Sequence, residues 1–285
     1  MCVTALTLSS NVCFSQLLDT ATAIGAFKKA VALAVDPVGN MYVIDAERAE
    51  LLKYSADGQI LAKTGGYGWS PATFDRPIDV RTPNGLDVYV SDYGNHRIQR
   101  FDRNLNFISS YSTRQNEEQQ IRFGYPLSVD ISSVGSMFIV DGENKRIVKL
   151  TSEGAVEKTF GGIGSGAGKL VTPRKVRVAK NDRVYVLDGN TVFVFDVYGN
   201  YLGRIGGFTN LNSLTVDQQK IYFLDSCRID TLSKDLTVRL VEDLSRLTTA
   251  DEQCNIVDIQ VSDKVMYALS PHRIFRMLFK HEEKK

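Results

Sequence analysis

The stretch VYVSDYGNHRIQRFD (Val88–Asp102) sets a β-rich run ending in aspartate against a strand opening with Arg-Ile, across a polar turn. Val, Tyr, Ile and Phe fit a pleated, half-buried surface, and the Asp-Tyr-Gly-Asn segment is turn chemistry. The pattern recurs. MFIVDGENKRIVKLT (Met137–Thr151) and MYVIDAERAELLKYS (Met41–Ser55) are clear copies. VYVLDGNTVFVFD from Val184, IYFLDSCRIDTLS from Ile221 and VMYALSPHRIFRM from Val265 are decayed ones. The anchoring positions Asp45, Asp92, Asp141, Asp188, Asp225 and Ser270 lie 47, 49, 47, 37 and 45 residues apart. A period of roughly 40–50 residues with four strands per unit is that of propeller blades.

Each unit opens with an inner strand: AVALAV (Ala30–Val35), PIDVR (Pro77–Arg81), PLSVDI (Pro126–Ile131), PRKVRV (Pro173–Val178), NSLTV (Asn212–Val216) and IVDIQV (Ile256–Val261). The second strand ends at the anchoring residue, the third begins at Ile98, Ile147 or their equivalents, and a fourth follows a Gly-, Asn- or Asp-bearing turn. Long helical periodicity is missing, so the expected fold is all-β: a six-bladed β-propeller of four-stranded blades over residues 16–280. The sixth unit stops after HRIFRMLF and lacks a fourth strand, while Cys13–Thr20 is a strand without a unit. Pairing Cys13–Thr20 with His272–Phe279 would close the ring and remove an exposed edge.

The motifs Asp92-Tyr-Gly-Asn95-His-Arg97-Ile98 and Asp141-Gly-Glu-Asn144-Lys-Arg146-Ile147 resemble the NHL repeat. The connections Phe160–Leu170 before Pro173, Thr64–Trp69 before Pro77 and Phe123–Pro126 are similar to the inter-blade segments of that family. The resemblance covers about residues 24–279 and is sharpest in the second and third units. It implies a six-bladed propeller used mainly as a binding platform and does not specify one ligand. Asp92 and Arg97 close and open partner strands, so a charge-assisted hydrogen bond across the turn is expected. Asn95 suits a turn residue at positive φ. Asp141, Asn144 and Arg146 repeat the device, which points to a structural role. The Gly-rich run Gly161–Gly168 is not a phosphate loop: Ile163 and Leu170 stand where that motif needs Gly and Ser or Thr.

The chain has 285 residues, with 34 Lys and Arg against 33 Asp and Glu. A net charge of +1 argues against a strongly basic nucleic-acid surface. No apolar run approaches the roughly 18 residues of a membrane span, and the four cysteines show no CxxC spacing.

In a propeller the inner strands converge on the axis. Polar residues there are Asp79, Arg81, Ser128, Asp130, Lys175, Arg177, Ser213, Thr215, Asp258 and Gln260, while the first unit offers only Ala32 and Ala34. Acids and bases are mixed, so pairs such as Arg81–Asp130 or Asp130–Arg177 are expected to neutralise one another. Six-bladed lactonase-like enzymes hold a divalent cation with Glu, Asn and Asp, and these inner-strand cores carry no Glu or Asn. Amidating-lyase relatives of NHL proteins use several histidines, and His96, His272 and His281 are few and scattered. No nucleophile motif is present. No catalytic residue, metal or cofactor is therefore expected.

The loop face with the second-to-third-strand hairpins and the blade connections gathers Trp69, Tyr93, Arg97, Arg114, Arg122, Tyr125, Arg174 and Arg228. Aromatic and Arg side chains are the usual anchors of interfaces. These residues make a non-enzymatic recognition module for a protein, peptide or glycan the leading reading. The alternatives are a hydrolase or lyase using the axial channel, and an RNA-binding propeller, which the interspersed acids disfavour. Residues 1–15 carry no charge and could be a truncated secretory leader ending at Ser15, or a buried outer strand. Residues 281–285 form a charged tail. Cys227 and Cys254 fall on one face of neighbouring units and could form a disulfide, which would suit a periplasmic or secreted protein rather than a cytoplasmic one.

Overall fold

The structure, a computed structural model, describes residues 21–217, 220–232, 238–247, 255–262 and 265–279. Its strands form six four-stranded antiparallel sheets. Blade 1 is β2 (Ala30–Val35), β3 (Met41–Asp45), β4 (Glu50–Tyr54) and β5 (Ile60–Gly65). Blade 2 is β6 (Pro77–Arg81), β7 (Asp87–Asp92), β8 (Arg97–Asp102) and β9 (Phe107–Tyr111). Blade 3 is β10 (Pro126–Ile131), β11 (Met137–Asp141), β12 (Arg146–Leu150) and β13 (Val156–Phe160). Blade 4 is β14 (Pro173–Val178), β15 (Arg183–Asp188), β16 (Thr191–Asp196) and β17 (Tyr201–Ile205). Blade 5 is β18 (Leu211–Asp217), β19 (Lys220–Asp225), β20 (Arg228–Leu232) and β21 (Val238–Asp243). Blade 6 is β22 (Asp258–Ser262), β23 (Val265–Leu269) and β24 (Ile274–Leu278), completed by β1 (Thr22–Ile24) from the start of the chain.

The ring is thus closed by an N-terminal strand, as the spare strand and the incomplete sixth unit imply. The residues that pair are Thr22, Ala23 and Ile24, opposite Arg276, Phe275 and Ile274. The expected segment Cys13–Thr20 lies outside the described residues, as do residues 1–15 and 281–285. Closure does not rest on those three residues alone. The Phe27 N–H donates to the His272 carbonyl at 3.0 Å, and the Ala30 N–H to the Pro271 carbonyl at 2.8 Å.

In blades 1 to 5 the pairing of the first two strands slips directly after the inner strand's first residue, for example between Pro77 and Asp79 and between Pro126 and Ser128. A bulge at that point tolerates a first residue without an N–H, which is why Pro77, Pro126 and Pro173 can start inner strands. It also re-aims the side chains that follow.

The core is divided into six apolar clusters, one in each gap between neighbouring blades. Ala32, Ala34 and Tyr42 of blade 1 meet Val80, Val88 and Val90 of blade 2. Phe138 and Val140 of blade 3 meet Val176, Val184 and Phe195 of blade 4. The closing gap holds Phe27, Leu33 and Tyr54 against Tyr267, Leu269 and Ile274. Phe27 is buried there, edge-on to Tyr54 with ring centroids 5.9 Å apart. Phe27→Ala should therefore cost about 3–5 kcal/mol, the range for a buried Phe truncation, read as a lower urea midpoint. A midpoint equal to that of the wild type would show that the closing gap is not needed for stability.

Candidate functional site: the loop face and the axial channel

The aspartate ending the second strand organises the loop face. Asp92 is fully buried. One carboxylate oxygen accepts the Asp75 N–H at 2.8 Å. The other accepts Asn95 Nδ2 at 2.8 Å, Arg97 Nε at 2.8 Å and Gln99 Nε2 at 3.2 Å. The expected Asp–Arg bond is present, and it extends into the blade connection. Arg97 donates onward to the carbonyls of Trp69, Ser70 and Thr73, each at 2.9 Å. Asp141 repeats this with the Gly124 N–H, Asn144 and Arg146, and Arg146 reaches the Arg122 carbonyl. Asp45 accepts the N–H groups of Lys28 and Lys29, Asp188 those of Val171 and Thr172, and Asp225 those of Thr209 and Asn210. Five blades therefore tie down the last residues before their own inner strand with a carboxylate.

These environments move the carboxyls in opposite directions. Burial outweighs the hydrogen bonds at Asp92 and raises its pKa. Burial pushes Asp45 the same way, but the two backbone N–H groups and Arg48 overcome it and hold the carboxyl below its ordinary value.

The residue at positive φ in the hairpin is not Asn95 or Asn144 but the one that follows: His96 at +53° and Lys145 at +53°. The Asn side chains are used instead as donors, Asn95 to Asp92 and to the Gly68 carbonyl. That role sets the backbone one residue away from the position expected.

His96, Tyr93 and Tyr125 form an aromatic cluster between blades 2 and 3. The His96 ring lies 4.1 Å from Tyr125 and the Tyr93 ring 5.0 Å from it, centroid to centroid. The Arg76 guanidinium sits over Tyr93 at 4.7 Å. The Tyr125 N–H donates to His96 Nδ1 at 3.0 Å, and Arg114 Nη2 lies 3.0 Å from both ring nitrogens. Burial first, and then the charge of Arg114, hold the His96 pKa below its usual value. Arg76 and Tyr125, both directly before an inner-strand proline, adopt φ of +58° and +50°. Left-handed backbone at bulky residues is strained and is concentrated at sites of function. Beyond the cluster, Trp69 and Tyr67 pack edge to face at 5.7 Å and are 70% and 68% exposed.

The residues read from the sequence therefore divide. Trp69, Tyr93, Arg114 and Tyr125 are presented on the loop face. Arg97 is spent on Asp92 and the connection. Arg122 binds the Asn116 carbonyl, Arg174 the Gly189 and Leu211 carbonyls, and Arg228 pairs with Asp230 at 3.4 Å. Arg76, His96 and Tyr67 were missed. The stacking of Arg76 and His96 depends on left-handed backbone that no motif announces. Cys227 is disulfide-bonded. The other three cysteines, Cys254 among them, lie outside the described residues.

On the axis, Arg81 pairs with Asp130 at 2.9 Å, as expected. Arg177 does not turn to Asp130. Its fully buried guanidinium reaches Asp79 in blade 2 with both terminal nitrogens at 3.2 Å. It passes over Ser128 of blade 3, whose small hydroxyl leaves room and bonds both partners. Lys175 likewise reaches over blade 5, bonding Ser213 at 2.9 Å and Asp258 of blade 6 at 2.5 Å. Asp258 also accepts the Leu33 N–H of blade 1 at 3.0 Å, and Asp130 the Val178 N–H at 2.8 Å. Three carboxylates thus balance three cations. Among the described residues no group of three or more His, Cys, Asp or Glu is placed to hold a metal ion. No helix of the described residues is long and apolar enough to cross a membrane.

The six blades define a six-bladed propeller, with the Asp–Asn–Arg hairpin repeated in blades 2 and 3. Residues 74–101, which span the blade 2 hairpin, match the family described as NHL repeat. The chain is 36% identical over 118 residues to human (Homo sapiens) NHL repeat-containing protein 3, covering 40% of this chain and 32% of that protein. It is 26% identical over 147 residues to Protein brain tumor of Drosophila melanogaster, covering 50% of this chain and 14% of that one. The chain thus spans a third or less of the length of these relatives. Among solved structures, a gluconolactonase from Xanthomonas campestris superposes with a TM-score of 0.68 at 11% identity, over 90% of this chain and 88% of the other. That likeness is one of fold.

Two outcomes are expected from these sites. Asp92→Ala removes the acceptor of Arg97 Nε and of the Asp75 N–H, leaves the guanidinium without its counter-charge, and should destabilise by about 3 kcal/mol, measured by urea denaturation. On the axis, burial would raise Asp79, but Arg177 and Lys175 outweigh it and hold it below its ordinary value. Its contribution is then complete above the unfolded carboxyl pKa of about 4 and is lost as pH falls through the lower folded value. Asp79→Asn should lower stability at pH 7 and flatten the acid loss below about pH 4. Urea midpoints taken from neutral to strongly acid pH check both signs.

Proposed function

We propose that this propeller is a non-enzymatic recognition module that binds a protein, peptide or glycan partner through the loop face of blades 2 and 3. One observation carries the reading. Tyr93, His96 and Tyr125 pack together on a strained backbone, with Arg76 over Tyr93 and Arg114 against the His96 ring nitrogens, beside the exposed Tyr67–Trp69 pair. Arg97 fixes the connection that presents Trp69 by holding three of its carbonyls. Rigid aromatic and Arg anchors give contact area at low conformational cost. The channel supports the same reading, because its charged groups are committed to one another. Interspersed Glu143 and Asp75 near His96 disfavour a polyanion such as RNA as the partner. A disulfide at Cys227 suits an oxidising compartment, periplasmic or secreted.

The test uses the intact chain as bait, followed by titration of the captured partner. Trp69→Ala and Tyr125→Ala should each weaken binding by about 1–3 kcal/mol and leave the urea midpoint nearly unchanged. Metal-dependent turnover abolished by Asp130→Ala or Asp258→Ala, with binding untouched by the loop-face changes, would overturn the reading in favour of a channel enzyme.

A further inference from the structure

The face opposite the aromatic cluster has a cavity of about 650 Å³ on the propeller axis. Inner strands of all six blades reach it, through Val35, Arg81, Ile131, Val178, Val216 and Val261. Two polar groups in its lining have no partner. Among the described residues, Gln260 Nε2 and Thr82 Oγ1 make no hydrogen bond, although the residues are only 4% and 5% exposed. Buried polar atoms are almost always satisfied, so two orphans in one cavity need an explanation. Gln260 is not free to turn away: its Oε1 accepts from Thr215 at 2.9 Å, which fixes the amide and leaves its N–H groups as donors.

The charges around the cavity are balanced. Arg81 pairs with Asp130 and Arg100 with Asp87, both at 2.9 Å, and Lys180 and Asp217 add one charge of each sign. Most of the remaining polar lining is hydroxyl and amide, from Asn84, Ser132, Ser133, Ser152 and Ser262. We propose that this cavity binds a small, neutral, polyhydroxylated ligand of hexose or cyclitol size. Ligand hydroxyls accept from the Gln260 amide and both donate to and accept from Thr82 and the serines. An apolar ligand would leave the orphans unmet. A charged one would meet paired charges of both signs, with no net field to favour it.

The site lies on the other face from the proposed partner surface and does not depend on it. Calorimetric titration of the full chain with glucose, galactose, myo-inositol and sorbitol, with glucuronate as a charged counterpart, tests it. At least one neutral probe should bind with a millimolar or tighter dissociation constant. Thr82→Val should weaken it by at least about tenfold. So should Gln260→Leu made together with Thr215→Val, a pair that leaves no hydroxyl stranded. Because each removes an unmet polar group or a matched pair, the urea midpoint should hold or rise, separating lost binding from lost fold. Trp69→Ala should leave sugar binding unchanged. No binding of any neutral probe, tighter binding of glucuronate than of every neutral probe, or affinity indifferent to both variants would each overturn the proposal.

Discussion

Most of this propeller hangs on one interaction: a buried carboxylate at the end of a second strand, accepting backbone N–H groups from the chain about to enter the same blade. Asp45, Asp92, Asp141, Asp188 and Asp225 all do this. An anionic acceptor makes stronger bonds than a neutral one. It acts where the backbone has left one sheet and has not yet entered the next. The inner strand therefore starts from a fixed point, and the connection behind it is free to vary. In blade 6 the position is Ser270, whose hydroxyl serves its own hairpin. The entry into blade 1, besides its bonds to Asp45, is held by direct backbone bonds from Phe27 and Ala30 to the blade 6 hairpin.

The architecture was legible because a blade is a local object. Alternating Val, Ile, Tyr and Phe, a terminal Asp and a turn recur within 15 residues, and the spacing of the Asp positions counts the blades. The closing strand was legible as a need but not as a sequence. Thr22–Ile24 is too short for alternation to mark. Arg81–Asp130 could be anticipated because it joins neighbouring inner strands. Arg177 could not, because its choice of Asp79 over Asp130 depends on Ser128 being small enough to reach across. Arg97 was read as a surface anchor because its type suggested one. Its guanidinium is instead exhausted by Asp92 and three carbonyls. What a side chain is spent on is a three-dimensional fact, and composition alone overstated the number of Arg residues left for a partner.

The two faces divide the polar chemistry. On the loop face, aromatic rings pack together and are partly exposed, with Arg76 over Tyr93 and Arg114 against His96. At the opposite axial mouth Tyr89 supplies a ring, Arg81 and Arg100 are each paired with a carboxylate, and hydroxyls and amides make up most of the other polar lining. The ion pairs along the axis stand between these environments, so each face can carry its own substitutions with little effect on the other.

Those ion pairs also change the kind of object the ring is. A ring of repeats that touch only their neighbours behaves as a one-dimensional array, able to fray one unit at a time. Here Arg177 joins blade 4 to blade 2, and Lys175 joins blade 4 to blade 6. The three even-numbered blades form a tripod through the centre, with the serines of blades 3 and 5 as spacers. Loosening any leg strands a buried charge in another blade. The array becomes a single cooperative body that melts together or not at all.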